Sequence, residues 1–219
     1  MHHLYSQIRD DIMSMAVAPG ERLSERILES KYGGSRTPVR AALSRLEVDG
    51  LVQRDARGWA VTPLSFQEME RAFEFRGAVE RGAVALACSR ASGEQIDAIE
   101  EMVVSVAMDM SHDEWHRAGR DFHVELARLS CNAFFVRAIE DVMTRLGRVR
   151  WLEIRTEAGR ARTVTEHCHI LSLVRRGDAD AAIKAISDHA GSAQKRHAEA
   201  LMGGARQRGE IVILAGARA

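Results

Sequence analysis

The stretch GGSRTPVRAALSRLEVDGLV, residues 33–52, sets two arginines, Arg36 and Arg40, four positions apart around Pro38. Val39, Leu43 and Leu46 recur at helical spacing and form an apolar stripe. Thr37 is placed to cap this helix, with Pro38 at the first helical position, where its missing N–H leaves no bond unmade. Gly50 stops the helix. On such a helix Arg40 and Ser44 project away from the stripe, and Arg36 precedes the helix on the same side. A helix N-terminus attracts phosphate through its free N–H groups and its dipole. Arginine adds charge and a planar fork that pairs with phosphate or with a guanine edge. An ordinary solvated helix face is the competing reading. Residues 1–63 hold 9 Lys/Arg against 8 Asp/Glu, a net of +1, so charge alone favours it.

The elements on either side decide the matter. Leu4, Ile8 and Ile12 stand every fourth residue, one stripe of an amphipathic helix. Ala18-Pro19-Gly20 forms a turn. Ser24 caps a second helix carrying Ile27, Leu28 and Tyr32, which ends at Gly33-Gly34. After Gly50 come Leu51-Val52-Gln53-Arg54, a turn at Asp55-Ala56-Arg57-Gly58, and Trp59-Ala60-Val61, a two-stranded hairpin. Three helices and a hairpin make a winged helix-turn-helix, whose last helix fits the major groove of B-DNA.

The chain as a whole has 219 residues, 46% of them hydrophobic and 28% charged, enough for one large domain or two small ones. Lys+Arg and Asp+Glu number 31 each, so any basic site is local. Cys88, Cys131 and Cys168 are far apart and odd in number, which argues against a disulfide framework and for a reducing cytoplasm. The first residues lack the apolar core of a signal peptide, and no apolar run approaches a membrane span.

Pro19, Pro38 and Pro63 are the 3 prolines, and the remaining 156 residues (219 minus 63) have none, which permits long helices. The domain boundary is therefore expected after Pro63. Beyond it, Ser65-x-x-Glu68, Ser92-x-x-Gln95, Ser111-x-x-Glu114 and Thr163-x-x-Glu166 fit the capping box. Asn132 and Asp178 are further caps, and Gly177 suits a helix stop. The expectation is six or seven helices, near 66–90, 93–109, 112–130, 133–146, 148–158, 164–176 and 179–202. They would form an all-α antiparallel bundle over 64–202, followed by a Gly-rich tail at 203–219.

The stretch APGERLSERILESKYGGSRTPVRAALSRLEVDGLV and the wing RDARGWAVTP resemble the GntR family of bacterial transcription regulators. That resemblance implies DNA contacts from Arg26, Arg36, Thr37, Arg40 and Ser44, and a wing backbone brought close to the minor groove at Gly58. Gly34 stands where a valine is usual in the family. Residues 66–202 resemble the ligand-binding FCD domain of the FadR branch through FEFRGAVERGAVALA, DFHVELARLSCN and EHCHILSLVRRGDADAAIKAISDHA. Many such domains hold a metal with one Asp and three His. The matching histidines are His123, His167 and His189. The aspartate position is Gly119, which has no ligating group; Asp121 belongs to another helix face, and His116 lies two turns from His123. Three imidazoles suit Zn²⁺ or Ni²⁺ and leave an open coordination place. A histidine beside apolar neighbours is also commonly a plain core residue, and the two readings stand side by side. By the same resemblance Arg76 and Arg148 would hold an effector carboxylate; for Arg76, an ion pair with Glu80 one turn on is the alternative. His112, His169 and His197 read as surface residues.

The function expected is that of a cytoplasmic, homodimeric, ligand-responsive regulator, a repressor of operator DNA that senses a small organic acid. Two alternatives remain. One is a metal-dependent hydrolase built on three His, against which stand the lack of HExxH and of a general base. The other is a DNA-binding dimer with a vestigial ligand site.

Overall fold

In the computed structural model, residues 2–105, 121–153 and 157–208 are described. Two compact units divide the chain between Glu68 and Met69, and again between Ala200 and Leu201.

The first unit opens with α1 (His2–Met13), whose Leu4, Ile8 and Ile12 are buried as their spacing requires. Strand β1 (Arg22–Leu23), α2 (Glu25–Tyr32), α3 (Arg36–Val48), β2 (Val52–Asp55) and β3 (Gly58–Val61) follow. Val39, Leu43 and Leu46 of α3 close the core with Leu51, Val52, Trp59 and Val61. The sheet has three strands in the order β1-β3-β2, both pairings antiparallel. Strand β1 was not foreseen, because two residues are too short to show alternation. It pairs Arg22 with Ala60 and Leu23 with Trp59.

Three local expectations change. The N-cap of α3 is Ser35 rather than Thr37, so the helix starts at Arg36 and Pro38 is its third residue. Proline there still lacks only an N–H that the first turn leaves unbonded. Ser24 is the N-cap of α2, but neither serine makes a side-chain capping bond. Ile27 of α2 is exposed while its neighbour Leu28 is buried.

The second unit is helical: α4 (Phe66–Arg90), α5 (Gly93–Ser105), α6 (residues 121–128), α7 (Ala133–Glu153), α8 (Glu157–Arg175) and α9 (Ala179–Arg208). Phe122, Leu126, Val84, Ile99, Ile170, Leu171 and Ile186 centre its core. Local capping signals fare well here. Ser65 Oγ accepts from Glu68 N at 3.2 Å. Ser92 and Gln95 bond each other's backbone N–H at 3.0 and 3.2 Å. Asn132 Oδ1 and Asp178 Oδ1 accept from Phe134 N and Ala181 N at 3.0 and 3.1 Å. Gly177 takes φ +69° at the stop of α8.

Two expectations fail. The helices expected at 133–146 and 148–158 are one, α7, which passes through buried Gly147. Glycine lowers helix propensity by about 1 kcal/mol, a preference that burial on both sides outweighs. Helix α8 begins at Glu157, so Thr163 is a buried interior residue and not a cap. Helix α9 continues through residues 203–208, the start of the expected tail. The Ser111–Glu114 capping box, His112, His116 and Gly119 lie outside the described residues.

Candidate nucleic-acid face and histidine pocket

Helix α3 buries Val39, Leu43 and Leu46 and leaves Arg36, Thr37, Arg40 and Ser44 exposed on its other side. The two arginines are 73% and 64% exposed. Each meets a carboxylate on α2. Arg40 Nε donates to both oxygens of Glu25 at 2.9 Å, and Arg36 Nε is 3.6 Å from Glu29 Oε1. Arg26 is exposed on α2 as well. The partners Glu25 and Glu29 were not singled out from sequence; their spacing of four placed them on one helix face, but pairing across two helices is a tertiary fact.

At the wing, Gly58 has φ +104° and open space around the position of a Cβ. Glycine is required there by the backbone, not by crowding. Asp55 accepts from Arg57 N at 2.8 Å and takes both guanidinium nitrogens of Arg22 at 2.7 and 2.6 Å. Arg22 thereby holds the Asp55 carboxyl down to about 2. Gly34 adopts φ +152°, with Pro38 and Leu4 3.8 and 3.9 Å from where a Cβ would sit. Space is available at that position, but the backbone conformation disfavours a side chain.

In the second unit, α6, α8 and α9 bring His123, His167 and His189 together, all buried, with one ligand atom of each within 4.8 Å of the others. Asp121 is not part of this cluster. Each ring is held differently. Glu80 Oε1 lies 2.8 Å from His123 Nδ1. Phe122 stacks on His167 with centroids 3.5 Å apart and planes 8° from parallel. Glu166 Oε2 lies 2.7 Å from His189 Nδ1. The tautomer that follows at His189 carries N–H at Nδ1, where Glu166 accepts. At His123, Arg76 Nη2 lies 3.2 Å from Nδ1 and 2.9 Å from Nε2, and the Glu80 carboxylate makes no hydrogen bond among the described residues.

Arg76 and Glu80, predicted to be either an ion pair or a carboxylate holder, form a buried ion pair of 3.1 Å, each side chain 3% exposed. Arg76 Nη2 also lies 2.9 Å from His123 Nε2. Arg148 is buried on α7, as is Arg150, whose charge is felt at His123, His167 and His197. His169 is exposed as expected, but His197 is not: it is buried, donates from Nδ1 to Ala193 O at 2.7 Å, and packs edge-on against Phe73. The signal was available, since His189, Ala193, His197 and Leu201 repeat every fourth residue and all are buried.

Burial, followed by the neighbouring cationic Arg76, pushes His123 well below the usual imidazole value. Burial does the same to His167 and His197. His189 is lowered too, by burial against the opposing pull of Glu166. The three clustered rings are therefore neutral, the form that ligates a metal. His167 Nε2 has no hydrogen-bond partner among the described residues although it is buried. An orphaned neutral imidazole nitrogen facing two others fits a divalent transition metal. Arg76 is the one opposing feature, because it occupies a lone pair of His123.

Comparison with known proteins agrees with both units. Residues 1–61 match the bacterial regulatory proteins of the gntR family, and residues 71–192 match the FCD domain. The chain is 30% identical over 159 residues to the Nta operon transcriptional regulator of Aminobacter aminovorans, spanning 71% of this chain and 74% of that protein. It is 26% identical over 190 residues to the HTH-type transcriptional repressor RspR of Escherichia coli (strain K12), spanning 85% and 83%. The fold is shared with E. coli McbR/YncC (TM-score 0.76, 19% identity, 90% of this chain and 95% of the other). It is shared also with a putative GntR transcriptional regulator from Rhodococcus sp. RHA1 (TM-score 0.77, 20% identity, 90% and 97%).

Proposed function

Because this chain belongs to the gntR family of bacterial regulatory proteins, carries an FCD domain and so is a transcriptional regulator, we propose that it is a cytoplasmic, ligand-responsive repressor that binds operator DNA as a homodimer. The observation that carries the DNA half is the division of α3 into a buried apolar side and an exposed side bearing Arg36, Thr37, Arg40 and Ser44 at its first turns. A single helix reads a few base pairs, and paired half-sites supply the rest of the specificity. Arg26 adds phosphate contact, and the wing approaches the minor groove at Gly58.

The ligand half rests on the histidine cluster. His123, His167 and His189 would hold a divalent transition metal such as Zn²⁺ or Ni²⁺, which supplies a Lewis-acid place for an effector carboxylate. Arg76 and Arg148 neutralise the incoming acid from the protein side. Effector binding that draws Arg76 away from Glu80 changes the charge balance of the bundle core, and this is the event to which DNA affinity responds. The hydrolase reading is set aside, since the relatives compared are transcriptional regulators.

Selection of bound DNA from a random pool, run with and without Zn²⁺ and a panel of small carboxylates, tests the whole reading. A short inverted repeat, released by one carboxylate, is the expected result. Arg36→Ala and Arg40→Ala should each weaken operator binding by about 1–3 kcal/mol if they read bases. Unchanged affinity in both removes α3 as the reading helix. A bundle that binds no metal and no carboxylate is a dimerisation unit only.

A further inference from the structure

The histidine cluster lacks an anionic ligand at the position where the resemblance expected one, residue 119, which is glycine. Three neutral imidazoles around a dication leave two positive charges in a buried site, beside the cationic Arg76. Yet two carboxylates do stand at this site, one behind each of two rings. Glu80, from α4, is buried and lies 2.8 Å from Nδ1 of His123. Glu166, from α8, lies 2.7 Å from Nδ1 of His189, with the Arg196 guanidinium 3.9 Å from the same oxygen.

We infer that Glu166 is the positioning residue of this site: it takes the Nδ1–H of His189 and turns its Nε2 toward the metal position, while Glu80, 2.8 Å from His123 Nδ1 without a hydrogen bond to it, adds a second negative charge in place of the one that residue 119 does not carry. This rests on the metal reading above. The chemistry is that of a carboxylate bonded to the outer nitrogen of a ligating imidazole, which sets the tautomer and raises the basicity of the inner nitrogen. His167 needs no such partner, because stacking on Phe122 orients its ring and leaves Nε2 without a bond. The arrangement differs from an anionic ligand in one respect: the charge sits one ring away from the metal position and takes up no inner coordination place itself. In the metal-free protein Arg76 Nη2 lies within hydrogen-bond distance of both His123 ring nitrogens, 3.2 Å from Nδ1 and 2.9 Å from Nε2, while ion-paired to Glu80.

The test has two arms on the full-length protein. In the metal-free protein, nitrogen-15 NMR of the histidine rings reads the tautomers directly. His189 is expected to carry N–H at Nδ1, and Glu166→Ala to shift it toward the other tautomer. An Nε2–H form of His189 in the wild type overturns the inference. The second arm loads Co²⁺ and measures its affinity by chelator competition and its visible absorption. Glu166→Ala is expected to lower affinity about 10–100-fold and alter the spectrum. Glu166→Gln, whose amide oxygen accepts the same N–H, is expected to keep the spectrum and lose less affinity. Equal affinity and spectra in wild type and Glu166→Ala, or equal losses in the Gln and Ala variants, overturn the positioning role. Glu80→Gln, which removes the second charge, is expected to lower Co²⁺ affinity, and an unchanged affinity takes Glu80 out of the inference; the Glu166 variants keep the test decisive if that protein does not fold. Folded wild type that takes up no Co²⁺, with the expected tautomers, defeats the metal reading and with it the role of both carboxylates toward a metal.

Discussion

Arg40–Glu25 and Arg76–Glu80 join the same two kinds of side chain in opposite surroundings. The first spans two helices of the DNA-binding unit and stands in solvent, with Arg40 64% exposed. The second lies one turn apart on α4 and is sealed from water, both side chains 3% exposed. In solvent the pair is screened and easily exchanged for phosphate, so its energy is small and its partner replaceable. Inside the bundle each charge depends on the other, and losing one leaves the other without compensation. The same chemistry thus stands as a replaceable pair on the exposed side of α3 and as a fixed element beside the buried histidines.

The contrast is broken most severely by Arg76→Met. It strands Glu80 in the core and should destabilise the chain by about 3–5 kcal/mol, read by urea unfolding. Adding Glu80→Leu should recover most of that loss, because the buried charge is then gone. A cost below 1 kcal/mol for Arg76→Met alone would mean that water reaches the pair. A middle effect is expected of Gly34→Val, which restores the side chain usual in the family but places it at φ +152°. Strain of about 1–3 kcal/mol should appear as a lowered unfolding midpoint. No change would show that the turn between α2 and α3 relaxes to a conformation valine accepts. Smallest in stability is Glu25→Gln, expected to shift it by no more than about 1 kcal/mol. Its effect belongs to binding: with Arg40 no longer neutralised, affinity for random DNA should rise more than affinity for operator, as read by fluorescence anisotropy across salt concentrations. Weaker binding to both would instead make Glu25 a support that aims Arg40.

What was legible in the sequence was what is local. The stripe Val39–Leu43–Leu46, the hairpin around Asp55–Gly58 and the caps at Ser65, Ser92, Asn132 and Asp178 depend on residues within a few positions of one another. Strand β1 was hidden because its two residues become a strand only when β3 lies beside them. Gly147 looked like a break and is helical, because packing outweighs propensity there. The histidine trio was visible through family resemblance alone, since nothing in the spacing of His123, His167 and His189 requires them to meet. Glu166 shows the cost of a locally sufficient reading. Counted as the end of a capping box with Thr163, it is in fact mid-helix, and its carboxylate is spent on His189.

Strand β1 has a mechanical consequence. It leads directly into α2, whose Glu25 pairs with Arg40 of α3, and it is laced to β3 of the wing by its ladder and to β2 by the Arg22–Asp55 fork. Wing tip and support helix are therefore tied through one strand. In the DNA complex proposed above, the wing and the helix that β1 leads into would be expected to move together. A signal that loosened such a unit from DNA would have to carry it away or tilt it as one piece.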